Sequence, residues 1–187
     1  MIRLSLLLPA LLAVSACQRE PAKPAAGVPT GAPASRATNP LTSNGAAHMD
    51  GYGDLRFGMT AAEVEQGARM ALHRTAANGI CYFLTPASNA DTAPVAFMIE
   101  ADKFVRYDVA NARDGAPGGG QPGMSMEQIE QLYPGQARER PSAAGGRSLR
   151  VKGHAGVAIV FEIGADGRVS RWRVGQVPQV DYGQGCS

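Results

Sequence analysis

Large apolar side chains are distributed in three distinct ways along the chain. A predominantly apolar run of ten residues, Leu4–Ala13, directly follows Arg3. From residue 18 to about residue 49 large apolar side chains almost vanish, and five of the 13 prolines fall in this stretch. From Asp50 to Ser187 short apolar segments alternate with polar ones, which is typical of a folded domain. The pattern therefore predicts a leader, a disordered tether and one domain.

Within the domain, one local pattern occurs twice. A ten-residue segment recurs with an offset of 65 positions, and in both copies Gly-Met leads into a hydroxyl residue, Thr60 or Ser125. A Glu or Gln follows three positions later, which completes the pattern of a capping box at a helix start. We therefore predict helices from Thr60 to about Leu72 and from Ser125 to about Tyr133.

Apolar segments with strand-like patterns follow each predicted helix. A β-hairpin is predicted in each half, because two apolar segments lie close together there and Asp-Gly marks the second turn. The segments of the two halves correspond, and they are residues 80–84, 95–100 and 103–109, then 148–151, 157–162 and 168–174. Repeat one (50–113) and repeat two (120–187) would thus each read helix–strand–strand–strand. If the two repeats share one antiparallel sheet with the helices on one face, the result is an α+β domain, which is the fold class we predict.

In both halves a Gly-Met-Thr/Ser helix start is followed by strands, the last of which is of the Gly-Arg-Val type. This pattern resembles a known superfamily. Its members include the SmpA/OmlA (BamE) outer-membrane lipoproteins, which carry one such repeat and assist outer-membrane protein assembly. They also include the beta-lactamase inhibitory protein, which carries two and binds an enzyme through its sheet face. The resemblance covers most of residues 55–110 and 121–175. It implies the tandem-repeat fold and a binding role.

The apolar run near the N-terminus is too short for a membrane-spanning helix, which needs about 20 apolar residues. It ends in the segment Val14–Cys17, which resembles the lipobox of bacterial lipoproteins. This implies a lipoprotein signal peptide over residues 1–16 and a lipid anchor on the thiol of Cys17, at the start of the tether (17–49). The alternative is an ordinary signal peptide cleaved after Ala16. By analogy with enteric bacteria, Gln18 after the cysteine, where an aspartate would retain the protein in the inner membrane, predicts sorting to the outer membrane.

The number of cysteines agrees with an exported protein. Of the three, lipidation would use Cys17 and leave Cys81 and Cys186. In an oxidising compartment two remaining thiols favour a disulfide, which would hold the C-terminal residues 182–187 against the first half of the domain. Closing so long a loop stabilises by about 4–5 kcal/mol in the chain-entropy model. Two unpaired structural cysteines are the alternative.

Charge and motifs argue against several classes of function. Four of the 18 basic residues and one of the 16 acidic residues precede position 50, which leaves the domain near −1 and predicts no nucleic-acid partner. His48, His73 and His154 are not at metal-ligand spacing, and no nucleophile motif occurs, so we predict neither a metal, a cofactor nor an enzyme. Glu63 and Glu127 are explained by their places at helix starts.

Strict alternation along the last strand of each half predicts a surface. It puts Arg106, Arg171 and Arg173 on the face opposite Tyr107 and Trp172. Arginines there are candidate contacts for the carboxylates or aromatic rings of a partner, or they simply solvate an exposed sheet face. Trp172 is either a core residue or a binding aromatic. The alternation also assigns two apolar side chains to the arginine face, Phe104 and Val169.

These observations together predict a lipid-anchored, non-enzymatic protein of the cell envelope. It would act through protein–protein contacts at the periplasmic side of the outer membrane. One alternative is an inhibitor or immunity-type protein that blocks a hydrolase, for which the loops 115–123 and 135–146 are candidates. The other is a module that binds cell-wall glycan through Trp172 and tyrosines.

Overall fold

The computed structural model describes residues 46–75, 79–87, 95–183 and 185–186. The predicted signal peptide, Cys17 and the tether up to residue 45 lie outside the described residues. Within the described part, no helix has both the length and the apolar character needed to cross a membrane.

Strands dominate the described part of the chain. It contains two α-helices of seven residues each, α1 (Ala61–Gly67) and α2 (Met126–Leu132), and a short 3₁₀ helix at Gln179–Asp181. The strands are β1 (Ala47–His48), β2 (Gly51–Tyr52), β3 (Leu55–Arg56), β4 (Leu72–Arg74), β5 (Cys81–Pro86), β6 (Val95–Glu100), β7 (Lys103–Val109), β8 (Ala137–Pro141), β9 (Arg147–Lys152), β10 (Val157–Ile163) and β11 (Val169–Gln176).

The strands form two sheets. The larger sheet has eight strands in the order β4-β5-β6-β7-β11-β10-β9-β8, and every neighbouring pair is antiparallel. The smaller sheet has the order β1-β2-β3. Strands β7 and β11 meet at the centre of the large sheet, where Tyr107 lies opposite Val174 and Val109 lies opposite Trp172. The short strand β4 and the exposed strand β8, which ends at Pro141, form its edges.

The predicted α+β class, with two helix–strand–strand–strand repeats sharing one sheet, is wrong. The fold is mostly β, with an eight-stranded and a separate three-stranded sheet and only two α-helices among the described residues. The first predicted helix was extended to Leu72, but α1 stops at Gly67, Arg69 takes a left-handed φ of 53°, and Leu72 begins a strand. Strands of two or three residues are too short to show periodicity, so β1–β4 left no recognisable signal in the sequence.

The two helix starts themselves are confirmed. Thr60 caps α1: its hydroxyl accepts the N–H of Glu63 at 3.3 Å, and the Glu63 carboxylate accepts the N–H of Thr60 at 2.7 Å. Ser125 and Gln128 make the same reciprocal pair at α2, at 3.3 and 2.9 Å. The hydrogen bonds from Thr60 lower the pKa of Glu63. Helices of seven residues are unstable alone, so both depend on these caps and on packing against the sheet.

The core lies on one face of the large sheet, beneath the small sheet and the two helices. Its polar ring atoms are paired: the Tyr107 hydroxyl donates to the carbonyl of His48 at 2.8 Å, and the Trp172 indole donates to the carbonyl of Asp114 at 3.3 Å. Trp172 is therefore a core residue, which removes it from the candidate glycan-binding residues. The largest buried side chains on the sheet are Trp172, Tyr107, Phe97, Phe104 and Phe161.

A β-bulge near the start of β7 and another near the start of β11 change which residues face the core. Met98 pairs with Arg106 but Ile99 pairs with Phe104, so Val105 is an extra residue in β7. The register shifts in the same way between Glu162 and Ile163 of β10, which pair with Arg171 and Val169. The assignment of Phe104 and Val169 to the arginine face is therefore wrong, because a bulge breaks the alternation and both side chains join the core.

The junction of β7 and β11 tolerates no side chain at Gly175. This residue pairs with Arg106, and a Cβ there would lie 2.9 Å from the Val105 carbonyl oxygen and 2.7 Å from the Arg106 Cβ. Gly175→Ala should therefore destabilise the domain by about 1–3 kcal/mol in chemical denaturation, the usual cost of overpacking. Gly115→Ala is the control, since its Cβ would lie 3.3 Å from the flexible side chain of Gln121 and no closer than 3.8 Å to the backbone, at the Gly119 Cα. Equal stability of the two variants would contradict the close approach.

Candidate binding groove

The predicted disulfide between Cys81 and Cys186 is confirmed, with Cα atoms 5.8 Å apart. It ties the chain after β11 to strand β5. This segment, residues 177–183 and 185–186, is called the strap below. It lies on the face of the large sheet opposite the core, where its 3₁₀ helix packs on β7, β10 and β11. That face of the sheet is called the strap face.

The strap overturns the prediction for two of the three arginines. Arg106 and Arg173 are buried, with 2% and 3% of their surface exposed, and only Arg171 is exposed. Alternation correctly set all three opposite Tyr107 and Trp172. It carried no information about a segment that covers the sheet from elsewhere in the chain, so the assignment of Arg106 and Arg173 to a solvent-facing surface is wrong.

Arg106 joins the strap to the sheet. Its Nε and Nη2 donate to the two carboxylate oxygens of Asp108, at 2.8 and 2.7 Å. Its Nη1 donates to the main-chain carbonyls of Gln179 and Tyr182, at 3.0 Å each. The Arg106 side chain thus gives a bidentate ion pair to its own strand and two hydrogen bonds to the strap, so its burial is compensated.

Arg173 makes the second connection. Its Nη1 lies 2.5 Å from Oε1 of Glu162, and its Nε donates to the carbonyl of Val180 at 2.6 Å. The side chains of this ion pair are only 4% and 7% exposed. Burial lowers the pKa of Arg173, as does the neighbouring Arg106 guanidinium, while Asp108 and Glu162 oppose the shift.

Two further contacts hold the edges of the strap. Arg150 of β9 pairs with the carboxylate of Asp181, at 2.8 and 3.3 Å. The side-chain amide of Gln179 donates to the carboxylate of Glu100 at the end of β6. Polar side chains of β6, β7, β9 and β11 therefore all contact the strap, in addition to the disulfide to β5.

Arg171 is left out of this network. It lies directly across from Glu162 in the β10–β11 register, but the Glu162 carboxylate binds Arg173. Asp108, which lies across from Arg173, binds Arg106 instead. Within the described part of the chain, no carboxylate lies within 4.0 Å of the Arg171 guanidinium.

Arg171 lies at the side of an open groove on the strap face with a volume of about 500 Å³. Strands β5 to β7 and β11 contribute side chains, and the strap contributes backbone, so the groove occupies the part of this face that the strap leaves uncovered. Volumes of this size are typical of ligand sites. The main lining residues are Thr75, Phe83, Thr85, Asp108, Arg171 and Gly183.

The hydroxyls at the β4–β5 side of the groove are already engaged. Thr75 donates to the carbonyl of Phe83 at 3.3 Å, and the Thr85 hydroxyl lies 3.1 Å from Nε2 of His73. Nδ1 of His73 is buried and has no hydrogen-bond partner among the described residues. In the same part of the chain, no group of three or more His, Cys, Asp or Glu side chains is placed to hold a metal ion.

Sequence reasoning identified Arg171 and Arg106, which both line the groove, but it did not identify the other lining residues as a site. Thr85 is a buried polar residue in the otherwise largely apolar strand β5, and that is the one local signal that could have pointed here. Phe83 and Gly183 gave no such signal, because they come to one groove only through the strap that lies across the sheet and is joined to β5 by the disulfide.

Comparison with known proteins gives one similar solved structure, the uncharacterized protein YfeY from Escherichia coli. The two share 13% sequence identity at a TM-score of 0.43, over 73% of this chain and 97% of that one. No protein-family model matches the chain, and no curated protein matches it.

Arg173 is buried and Arg171 is exposed, so the same charge reversal should destabilise the domain strongly at Arg173 and hardly at all at Arg171. Arg173→Glu leaves Glu162 buried without its partner and adds a second buried carboxylate, so it should cost about 3–5 kcal/mol or prevent folding. Arg171→Glu changes an exposed charge and should alter the free energy of unfolding by about 0.5 kcal/mol or less. Urea denaturation of both variants checks this. A tolerated Arg173→Glu would show that the strap does not bury this pair.

Proposed function

We propose that this chain is a lipid-anchored, non-enzymatic protein of the cell envelope that binds another protein through the groove beside Arg171. The observation that carries the proposal is the groove itself. It is open and partly apolar, has a volume of about 500 Å³, and lies next to an exposed arginine without an ion-pair partner among the described residues. Arg171 and Phe83 both line this groove, and arginine and aromatic side chains are common at the energetic centres of protein interfaces.

The disulfide supports an exported location for this binding. Stable disulfides form in oxidising compartments and are rare in the cytosol, so Cys81–Cys186 favours the periplasm. The lipobox-like segment ending at Cys17 would then attach the domain to a membrane, and Gln18 favours the outer membrane. The segment between Cys17 and the first strand at Ala47 is long enough to let the domain reach a partner away from the lipid surface.

Anchoring is tested by Cys17→Ser. The variant should lose the lipid label and move from the membrane to the soluble fraction of the envelope, whereas the wild-type protein should carry an acyl group on its N-terminal peptide by mass spectrometry. Cys186→Ser is the control, because it replaces a different cysteine, which is disulfide-bonded, and keeps Cys17, so the protein should stay with the membrane. An unmodified N-terminal peptide in the wild type would contradict the anchor.

Binding through the groove is tested by site-specific photocrosslinking in cells. A photoreactive residue in place of Thr75, which lines the groove, should give one discrete crosslinked product with an envelope protein. The same residue in place of Arg138, which is exposed on the edge strand β8 three strands away from β11, should not. Equal crosslinking from both positions, or none from Thr75, would contradict a partner in the groove.

A further inference from the structure

The charges lining the groove leave one net positive charge. Arg106 and Asp108 cancel each other, because both carboxylate oxygens of Asp108 accept hydrogen bonds from the Arg106 guanidinium. Because they neutralise each other, each of these two groups would attract a ligand of opposite charge only weakly. Arg171 alone remains, exposed and without an ion-pair partner among the described residues.

The rest of the lining is suited to an uncharged, partly apolar neighbour of that charge. Phe83 and Ala96 are half-buried, so part of each faces the groove, and Gly183 presents backbone without a side chain. The Phe83 ring contacts the buried Arg106 side chain, with the ring centroid 5.7 Å from the guanidinium carbon. Phe83 lies on β5 and Arg171 on β11, at different parts of the groove lining, so one extended segment lying across the groove can place an apolar side chain on the ring and an acid at the guanidinium.

We propose that the groove binds an acidic segment of the partner protein, in which a carboxylate pairs with Arg171 and an apolar side chain elsewhere in the same segment packs on Phe83. This inference rests on the proposed protein-binding function. A carboxylate fits better than a phosphate group, because phosphate is usually bound by several donors and here the hydroxyls of Thr75 and Thr85 are already engaged. One planar guanidinium provides the two parallel donors that a carboxylate accepts.

The test measures binding of a labelled, blocked octapeptide with two Leu-Asp pairs to the full lipoprotein in nonionic detergent, by fluorescence anisotropy. Arg171→Glu should weaken binding at least tenfold, while Arg171→Lys, which keeps the charge but loses the planar fork, should weaken it less. Arg138→Glu is the control: it makes the same charge change on an exposed arginine of β8 and should leave affinity within twofold. Each variant is first shown to unfold at the same temperature as the wild-type protein.

Three results would overturn the inference. The first is that a peptide with Lys in place of Asp binds as tightly as the acidic peptide. The second is that Arg171→Glu has no more effect on affinity than Arg138→Glu. The third is that inorganic phosphate displaces the peptide at equal concentration. The last would assign the site to a free anion.

The two proposals fail in different ways. If the Thr75 photocrosslink persists in Arg171→Glu while the acidic peptide does not bind, the groove binds a protein but not through an acid. If the wild type gives no crosslink from Thr75, the protein-binding function itself is wrong, whatever the peptide does.

Discussion

The burial of two guanidinium groups under the strap is the constraint on which the strap face of this domain depends. A buried arginine is tolerated only when its charge is paired and its N–H groups are bonded. Arg106 and Arg173 meet this requirement by combining one carboxylate each, Asp108 and Glu162, with carbonyl oxygens of the strap. Without the strap both would lack part of their hydrogen bonds. Sheet and strap therefore need each other.

The same constraint explains why Arg171 is free. Three arginines and two carboxylates project from neighbouring positions of β7, β10 and β11, and the strap has carbonyls within reach of only two of those arginines. Pairing then follows burial and not the strand register: Glu162 bonds the buried Arg173 and not its direct neighbour Arg171. The exposed charge is what remains after the buried charges have been neutralised, and it lies where the strap leaves the sheet open.

Sequence patterns predicted the features that depend on local chemistry. The helix starts at Thr60 and Ser125 follow from capping, and the Cys81–Cys186 bond follows from cysteine parity in an oxidising compartment. What failed depends on contacts between distant parts of the chain. Strands β1 to β4 form because they pair with neighbouring strands, and they are too short to show a periodic pattern in the sequence. The bulge at Val105 alters register without a glycine or proline to mark it, and the cover over Arg173 comes from a different element.

The way the arginines hold the strap also determines which sequence changes the protein can accumulate. Arg106 and Arg173 bond main-chain oxygens at positions 179, 180 and 182, and every amino acid supplies such an oxygen. The arginines therefore constrain the side chains at these three positions less than the strand residues beneath them, although Gln179 also bonds Glu100 through its side chain. The strand residues cannot change one at a time without leaving a buried charge unpaired. In distant homologues the arginine–carboxylate pairs should outlast the strap's own sequence, and aligned positions on β7, β10 and β11 should identify such proteins when the C-terminal residues no longer match.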